Sequence, residues 1–361
     1  MKIINAKITN YPIKLTTPFK YALATLDFLP YVMITIETDT GIIGHGESAI
    51  GWDTTGEMPA GSIQIFNEIA LPYLQNRTID SVESVQAVMN DLNKFIYENT
   101  GLKSGVEFAL LDVLTQSQNI PVWHLFATHT NHDTITPQIV FSLTASTDPV
   151  TIVDKIKNAQ QAGVKYFKFK ADKNIEQLAT ILNLVGQALP TAQFILDANQ
   201  SWEDAEASLS NLARLENLNI AWIEQPVHHD NYGALAAIRQ STKFKIMADE
   251  SCHNLRDLEN LYARQAIDMI NIKLAKCGGL MPALAMAKFC ETNNIQYVLG
   301  SMFNSNLGTA SDLHFAALTN CVSYDITPPS MITEDIFAGI SFQDYRVAIP
   351  TAAGLGVSLK K

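Results

Sequence analysis

From about residue 136 the chain alternates between short runs rich in β-branched and aromatic residues and longer runs whose apolar positions recur every three or four residues. The short runs, 138–143, 166–170, 193–197, 221–224, 245–249, 269–273, 297–301 and 322–325, read as strands. The intervening runs, 150–162, 174–189, 202–217, 232–242, 254–265, 281–292 and 309–319, read as helices. Each strand ends on or near a polar residue: Ser142, Lys168 with Lys170, Asp197, Glu224, Asp249, Lys273, Ser301 and Asp325. These residues recur at spacings of roughly 24 to 29 residues, the length of one βα unit, and eight such units predict a (β/α) barrel.

The first third has a different pattern. Residues 3–12 and 31–38 alternate like strands, and the turn at 39–41 returns the second into 42–47. Residues 17–25 and 49–61 are too irregular for strands and read as loops of the kind that cover a site. Helical spacing then fills 62–74, 82–97 and 104–127, with Pro121 breaking the last near Asn119. The predicted class is α/β: a TIM-type barrel over 129–329, with an N-terminal α+β capping domain over 1–128 that the tail 330–361 completes.

Composition narrows the partners. The 361 residues carry a formal net charge of −11, which argues against nucleic acid and against anionic membrane surfaces. No apolar run approaches a membrane span, and the N-terminal residues lack the apolar core of a signal peptide. Cys252, Cys277, Cys290 and Cys321 show no metal or disulfide spacing and read as free thiols, so a cytoplasmic protein is expected.

The strand ends carry the candidate chemistry, because catalytic groups of such barrels gather at the C-terminal rim. Asp197, Glu224 and Asp249 come from three adjacent strands. Three converging carboxylates repel unless a cation compensates them, and an all-oxygen set suits Mg²⁺, with Mn²⁺ also accommodated. Lys168 and Lys170 precede the acids and Lys273 follows them, so that lysines flank a ligand held over the metal. The chemistry this suggests is removal of a proton α to a carboxylate, a metal-stabilised enediolate, and return of a proton on the other face. A neighbouring cation is expected to lower the lysine pKa toward that of a useful base.

The stretches YFKFK at 166–170, LDANQS at 196–201, IEQP at 223–226, MADES at 247–251 and NIKLAKCGG at 271–279 resemble the enolase superfamily, muconate-lactonizing subgroup, and within it the dipeptide epimerases. The resemblance spans nearly the whole chain. It implies Asp197, Glu224 and Asp249 as Mg²⁺ ligands, Lys170 and Lys273 as the two acid/base catalysts, and Lys168 as an auxiliary lysine near the substrate carboxylate. It also implies substrate contacts from Ser142, Ser301, Met302, Phe303, Asp325 and Thr327. Asn199 and Glu250 are expected to support the first group, whereas Lys276, beyond the strand end, is expected to face solvent. The implied substrate is an L-Ala-X dipeptide, with L-Ala-D/L-Glu favoured, and the expected assembly is a homo-oligomer. Cycloisomerases and dehydratases of the subgroup share the barrel motifs and form the alternative.

Three positions depart from the epimerase pattern. Thr327 replaces the second acid of an Asp-x-Asp pair that holds the dipeptide ammonium, Asn304 stands where Glu is usual, and Ala24 stands where members selective for acidic side chains carry Arg. Lys20 is the nearby cation that could substitute.

Overall fold

The computed structural model describes residues 1–20, 25–143, 148–171 and 175–360, so Ala24 lies outside the described residues, as does the side chain of Lys20. Strands β1 (Ile3–Lys20) and β2 (Thr25–Thr38) form a long antiparallel hairpin, and β3 (Ile43–Ser48) joins β2. Of the predicted irregular stretch 17–25, the described residues 17–20 and 25 are thus strand. Its ladder slips between Lys14 and Phe19, and pairing with the opposite strand overrides a mixed local pattern.

Helices α1 (Pro59–Ile65) and α2 (Leu71–Leu74) follow, joined by a π-helical turn at Phe66–Ala70, and then α3 (Val82–Phe95) and α4 (Thr100–Gln118). Helix α4 stops at Asn119, which takes φ 55° two residues ahead of Pro121, where the sequence places the break. It crosses β3 at very short range. A Cβ on Gly46 would lie 1.9 Å from the Gly105 carbonyl oxygen, and one on Gly105 would lie 2.0 Å from Ser48 Oγ. Only glycine permits that approach.

Strand β4 (Thr134–Ile135) leads into the barrel, which comprises β5 (Ile139–Phe141), β6 (Tyr166–Lys170), β7 (Gln193–Asp197), β8 (Ile220–Glu224), β9 (Lys245–Ala248), β10 (Met269–Ile272), β11 (Gln296–Gly300) and β12 (Tyr324–Asp325). All eight are parallel and neighbour one another in chain order. The ring is nearly closed: Gln138 N–H donates to the Tyr324 carbonyl at 2.9 Å and Ser323 Oγ to Gln138 Oε1 at 2.8 Å. The connecting helices are α5 (Pro149–Gln161), α6 (Ile175–Ala188), α7 (Ala205–Ala213), α8 (Tyr232–Ser241), α9 (Leu255–Ala263), the short α10 (Leu274–Cys277), α11 (Leu280–Thr292) and α12 (Asn306–Leu318). Beyond the barrel, β13 (Ile332–Thr333) pairs with β1, so the chain returns to the N-terminal sheet.

Period-two alternation sorts the barrel residues. Ile195, Trp222, Met247, Met269 and Val298 pack together as a buried apolar floor inside the ring. Two residues further along their strands stand Asp197, Glu224, Asp249 and Asn271, so the polar rim rests directly on that floor. On β6 the outward residues Phe167 and Phe169 are buried under the helices, with Phe169 stacked on Phe141 at 4.9 Å, which leaves Lys168 and Lys170 facing inward.

Buried carboxyls dock the N-terminal unit on the barrel. Glu57 accepts from Gly101 N–H at 2.8 Å and Leu102 N–H at 2.9 Å, pinning the 50s loop to the N-terminus of α4. Glu107 of α4 accepts from Met281 N–H at 3.0 Å in the first turn of α11. Glu47 of β3 accepts from Ser305 Oγ and, at 3.3 Å, from Ser305 N–H.

Burial pushes the Glu47 carboxyl up to about 8 from 4.5, against those hydrogen bonds, and pushes Glu107 and Asp312 to about 7. A carboxyl raised in this way binds its proton more tightly folded than unfolded. Its contribution is complete below the unfolded pKa and is lost as pH rises through the folded one. The unfolding free energy should therefore fall as pH rises from about 5 to about 8, by at most about 1.4 kcal/mol per pH unit for each group. Glu47→Gln should flatten that slope. Stability that rises over the same window would contradict the assignment.

Among the described residues no helix is long and apolar enough to cross a membrane, and the four cysteines are free thiols. Cys321 is only partly buried, whereas the other three are buried.

Candidate active site

A cavity of about 590 Å³ opens above the C-terminal rim. Leu26, Leu29 and Tyr31 of β2, with Ile50, Trp52 and Asp53 of the 50s loop, form its cap side. Its barrel side carries Lys168, Lys170, Asp197, Asn199, Glu250, Lys273, Ser301, Met302, Phe303, Asp325 and Thr327. Glu224 and Asp249 lie just beneath this wall, almost completely buried. Ser142 is exposed, one residue past the end of β5, and is not part of the described lining; Val140 of that strand is.

The order of strands fixes where the lysines stand. Strands β6 and β10 lie four places apart in a ring of eight, hence across the barrel from each other, with β7, β8 and β9 on one side between them. Lys170 ends β6 and Lys273 follows β10, so the two ammonium groups approach the cavity floor from opposite sides of the acids. Lys170 Nζ donates to Asp197 Oδ2 and to Asn199 Oδ1, both at 2.8 Å. Lys273 Nζ donates to Asp249 Oδ2 at 2.7 Å. Lys168 Nζ stands deepest, 2.7 Å from Asp325 Oδ2, 2.8 Å from Glu224 Oε2 and 2.9 Å from Asp197 Oδ2.

These pairs set the protonation behaviour. Burial raises the Asp197 carboxyl, but Lys168 and Lys170 outweigh it and hold the group down at about 2. Asp249 is likewise held well below its ordinary value by Lys273 and Lys276, against burial. Burial and the neighbouring Asp197 push Glu224 up to about 8. Burial pulls Lys168 and Lys273 down, yet the surrounding carboxylates more than reverse it and raise both. For Lys168 and Lys273 the expected depression of a lysine by a neighbouring cation is therefore not what the side chains produce, because the carboxylates outweigh it.

Three site residues escaped the sequence reading. Lys276, expected in solvent, is fully buried. The short helix α10 turns it back, and its Nζ donates at 2.5 Å to both Oδ1 and the carbonyl of Asp249 and at 3.1 Å to the Asn271 carbonyl. Asn271 donates from Nδ2 to Glu224 Oε1 at 2.9 Å, and the glycine at position 300 gives its amide room. Gln225, at φ 39°, accepts from the N–H groups of Asp249 and Ser251, both at 3.0 Å. Asn271 was legible, being two residues before Lys273 on the same inward face; the other two depend on loop geometry. Replacing Lys276 by Met should cost about 3–5 kcal/mol in urea unfolding, because it strands buried Asp249 oxygens without their cation. A loss below about 1 kcal/mol, the usual worth of a surface pair, would mean that Lys276 is not held there.

The donor set suits a hard divalent cation. Five carboxyls (Asp197, Glu224, Asp249, Glu250 and Asp325) face four ammonium groups, so with every carboxyl ionised the cluster carries one negative charge more than positive. Among the described residues no hydrogen bond reaches Glu224 Oε2 or Glu250 Oε2, although Lys168 is near the first. The side chains as placed do not form a ready-made cage of three ligands, because Lys168 stands between Asp197 and Glu224. What fits is the chemistry: oxygen donors only, deeply buried, with Glu224 Oε2 in the centre accepting no hydrogen bond among the described residues.

A (β/α) barrel capped by an α+β unit, with acids and lysines at its C-terminal strand ends, defines the class of this protein as a capped barrel enzyme. Residues 3–127 match the family described as mandelate racemase / muconate lactonizing enzyme, N-terminal domain, and residues 151–361 match the enolase C-terminal domain-like family. The chain therefore belongs to the mandelate racemase / muconate lactonizing family of the enolase superfamily. The solved structure of N-succinyl Arg/Lys racemase from Bacillus cereus superposes with a TM-score of 0.92 at 27% identity, covering 100% of this chain and 96% of that one. An L-Ala-D/L-Glu epimerase from Bacillus subtilis is 29% identical over 99% of this chain and 97% of its own length. A dipeptide epimerase from Cytophaga hutchinsonii, solved with Mg and the dipeptide D-Ala-L-Val, gives a TM-score of 0.89 at 28% identity over 100% of this chain and 97% of that one. These relatives are isomerases acting on amino-acid derivatives and dipeptides.

Proposed function

We propose that the protein is a Mg²⁺-dependent epimerase that inverts the C-terminal residue of a dipeptide. The observation that carries this reading is the placement of Lys170 and Lys273 on opposite sides of one acidic cluster at the base of a single cavity. An α-carbon held between them presents its hydrogen to one lysine and its vacant face to the other. One takes the proton, the other gives one, and the configuration inverts. Asp197, Glu224 and Asp249 would hold the Mg²⁺, which when bound supplies Lewis-acid stabilisation of the charge that develops on the substrate carboxylate. Lys168, deep among the acids, adds a fixed positive charge beside that carboxylate. The cap excludes water from the reacting face.

For the side chain X, the cap wall of Leu26, Leu29, Ile50 and Trp52, with Met302 and Phe303 opposite, is apolar, and the charged group there is Asp53. The described cap side offers no lysine or arginine to a γ-carboxylate, and the further lysine of the lining, Lys155, stands on the barrel helix α5. We therefore place apolar X ahead of the Glu that the sequence resemblance favours. With Mg²⁺ present, L-Ala-L-Leu and L-Ala-L-Phe should be epimerised at least about 10-fold more efficiently than L-Ala-L-Glu, a difference of about 1.4 kcal/mol. A preference for Glu would sink the apolar reading but leave the epimerase reading standing.

One observation favours a second reading. Asp325, the expected partner of the dipeptide ammonium, is already paired with Lys168 at 2.7 Å. A substrate without an ammonium group would leave that pair undisturbed, as in cycloisomerisation or dehydration. Asp325→Ala decides between them: the epimerase reading requires a KM for the dipeptide raised about 10-fold or more, from loss of a charge-assisted hydrogen bond.

A further inference from the structure

We propose that Asn199 and Glu250 are positioning residues that aim Lys170, and only Lys170, at the reacting carbon. The inference rests on the epimerase reading of the site.

Lys170 Nζ donates to Asn199 Oδ1 at 2.8 Å, and Asn199 Nδ2 donates to Glu250 Oε1 at 3.1 Å. Both ends of the amide are thereby assigned. An ammonium group can only donate, so it takes the oxygen; Glu250 then receives the nitrogen, and the amide cannot rotate by half a turn without breaking both contacts. The backbone is committed to the same end. Asn199 takes φ 41° and Gln200 φ 67°, in the left-handed region that a non-glycine residue enters only at a cost. That turn is held by Gln200 N–H on the Gln225 carbonyl at 2.9 Å and Ser201 N–H on the Ala198 carbonyl at 2.9 Å.

Glu250 acts on Lys273 through its charge alone, and no hydrogen-bonded counterpart of Asn199 reaches that lysine among the described residues. Lys273 is restrained by Asp249, and the Asn199 side chain makes no hydrogen bond to it among the described residues. The restraint on Asp197 is also separable, because it comes from the backbone: Asn199 N–H donates to Asp197 Oδ1 at 3.1 Å. Removing the Asn199 side chain thus leaves that contact, while Lys170 loses the Asn199 acceptor and keeps Asp197 Oδ2. Asn199 and Glu250 both line the cavity, so the chain of contacts runs along the wall that a substrate would touch.

The test measures each face separately. Wild type, Lys170→Met, Asn199→Gly, Glu250→Ala and Glu250→Gln are incubated in ²H₂O with Mg²⁺ and either epimer of L-Ala-Leu. Initial loss of the α-proton is followed by NMR. Lys170→Met identifies the epimer whose hydrogen faces Lys170. For that epimer, Asn199→Gly and Glu250→Ala should slow exchange about 10- to 100-fold, the usual cost of a misplaced reacting group. In Asn199→Gly, exchange from the opposite epimer should fall at least about 10-fold less than exchange from this one. Glycine at 199 accepts the left-handed φ without strain, so a folding defect does not confound the result. Glu250→Gln, which keeps an acceptor for Asn199, should restore most of the rate lost in Glu250→Ala. Mg²⁺ binding by calorimetry should be unaltered in Asn199→Gly. Equal losses on both faces, no loss on either, or weakened Mg²⁺ binding would overturn the assignment. Absence of exchange by wild type from either epimer of both L-Ala-Leu and L-Ala-Glu, with Mg²⁺ bound, would instead remove the epimerase reading and this inference with it.

Discussion

Lys273→Met should abolish net epimerisation in both directions, by at least about 10³-fold, while α-proton exchange persists for one epimer of the substrate. Lys170→Met should do the same with the opposite epimer. The expectation follows from the strand order. The lysines stand across the ring from each other, so each reaches one face of a carbon held over the cavity floor. Inversion needs both, because one group must remove a proton and the other supply one. Exchange with solvent needs only the lysine on the side where the hydrogen lies. Methionine approximates the length of the lysine stem and keeps the apolar contacts, so the change isolates the ammonium group. Circular dichroism should show an unaltered fold. Loss of exchange from both epimers in either variant would mean that the lysines act together on one face, contrary to their placement.

Glu224→Gln should remove the response to Mg²⁺ without unfolding the protein. Glu224 is completely buried at the centre of the acidic group, and its Oε2 lacks a hydrogen bond among the described residues. Its Oε1 accepts from Asn271 Nδ2 at 2.9 Å, a contact that a glutamine oxygen can retain. Glutamine removes the charge a divalent ion would use and leaves the volume filled. Mg²⁺ at about 100 times its dissociation constant should stabilise the wild type by about 2.7 kcal/mol, visible as a rise in melting temperature. The variant should show no such rise, and its exchange rate should fall by about 10³-fold or more, the order expected when electrostatic stabilisation of developing charge is lost. Its melting temperature without metal should stay close to that of wild type, because Glu224, pushed up to about 8, already holds a proton near neutral pH and Lys168 keeps Asp197 and Asp325. An undiminished Mg²⁺ response in the variant would place the metal elsewhere.

Much of this site was legible because a barrel turns a linear repeat into a ring. Asp197, Glu224 and Lys273 end their strands at regular spacing, and period-two alternation sets them on the inward side. The boundaries of β6 and β7 match the pattern residue for residue, since β6 alternates aromatic residues with lysines and β7 is an apolar run that Asp197 closes. Lys276 was not legible. Its burial depends on one turn of helix after β10 folding the side chain back under Asp249, and no periodicity announces that. The hairpin arm at 17–25 was misread for a related reason: strand pairing, not local pattern, decides it. Ser142 has the right phase, two residues beyond the cavity-lining Val140, but the ladder ends at Phe141 and leaves it exposed. The buried acids Glu47 and Glu107 were overlooked because their partners, Ser305 and Met281, are remote in sequence.

The central claim is that two lysines flank a carbon acid held over a metal. Its most direct test is wild-type protein with Mg²⁺ and L-Ala-L-Leu or L-Ala-D-Leu in ²H₂O, followed by NMR at the α-carbon of the second residue. Both epimers should exchange that hydrogen and interconvert, the exchange should stop when the metal is chelated, and it should return with added Mg²⁺. Protein that binds Mg²⁺ yet leaves the α-hydrogen of every L-Ala-X dipeptide in place would contradict the account.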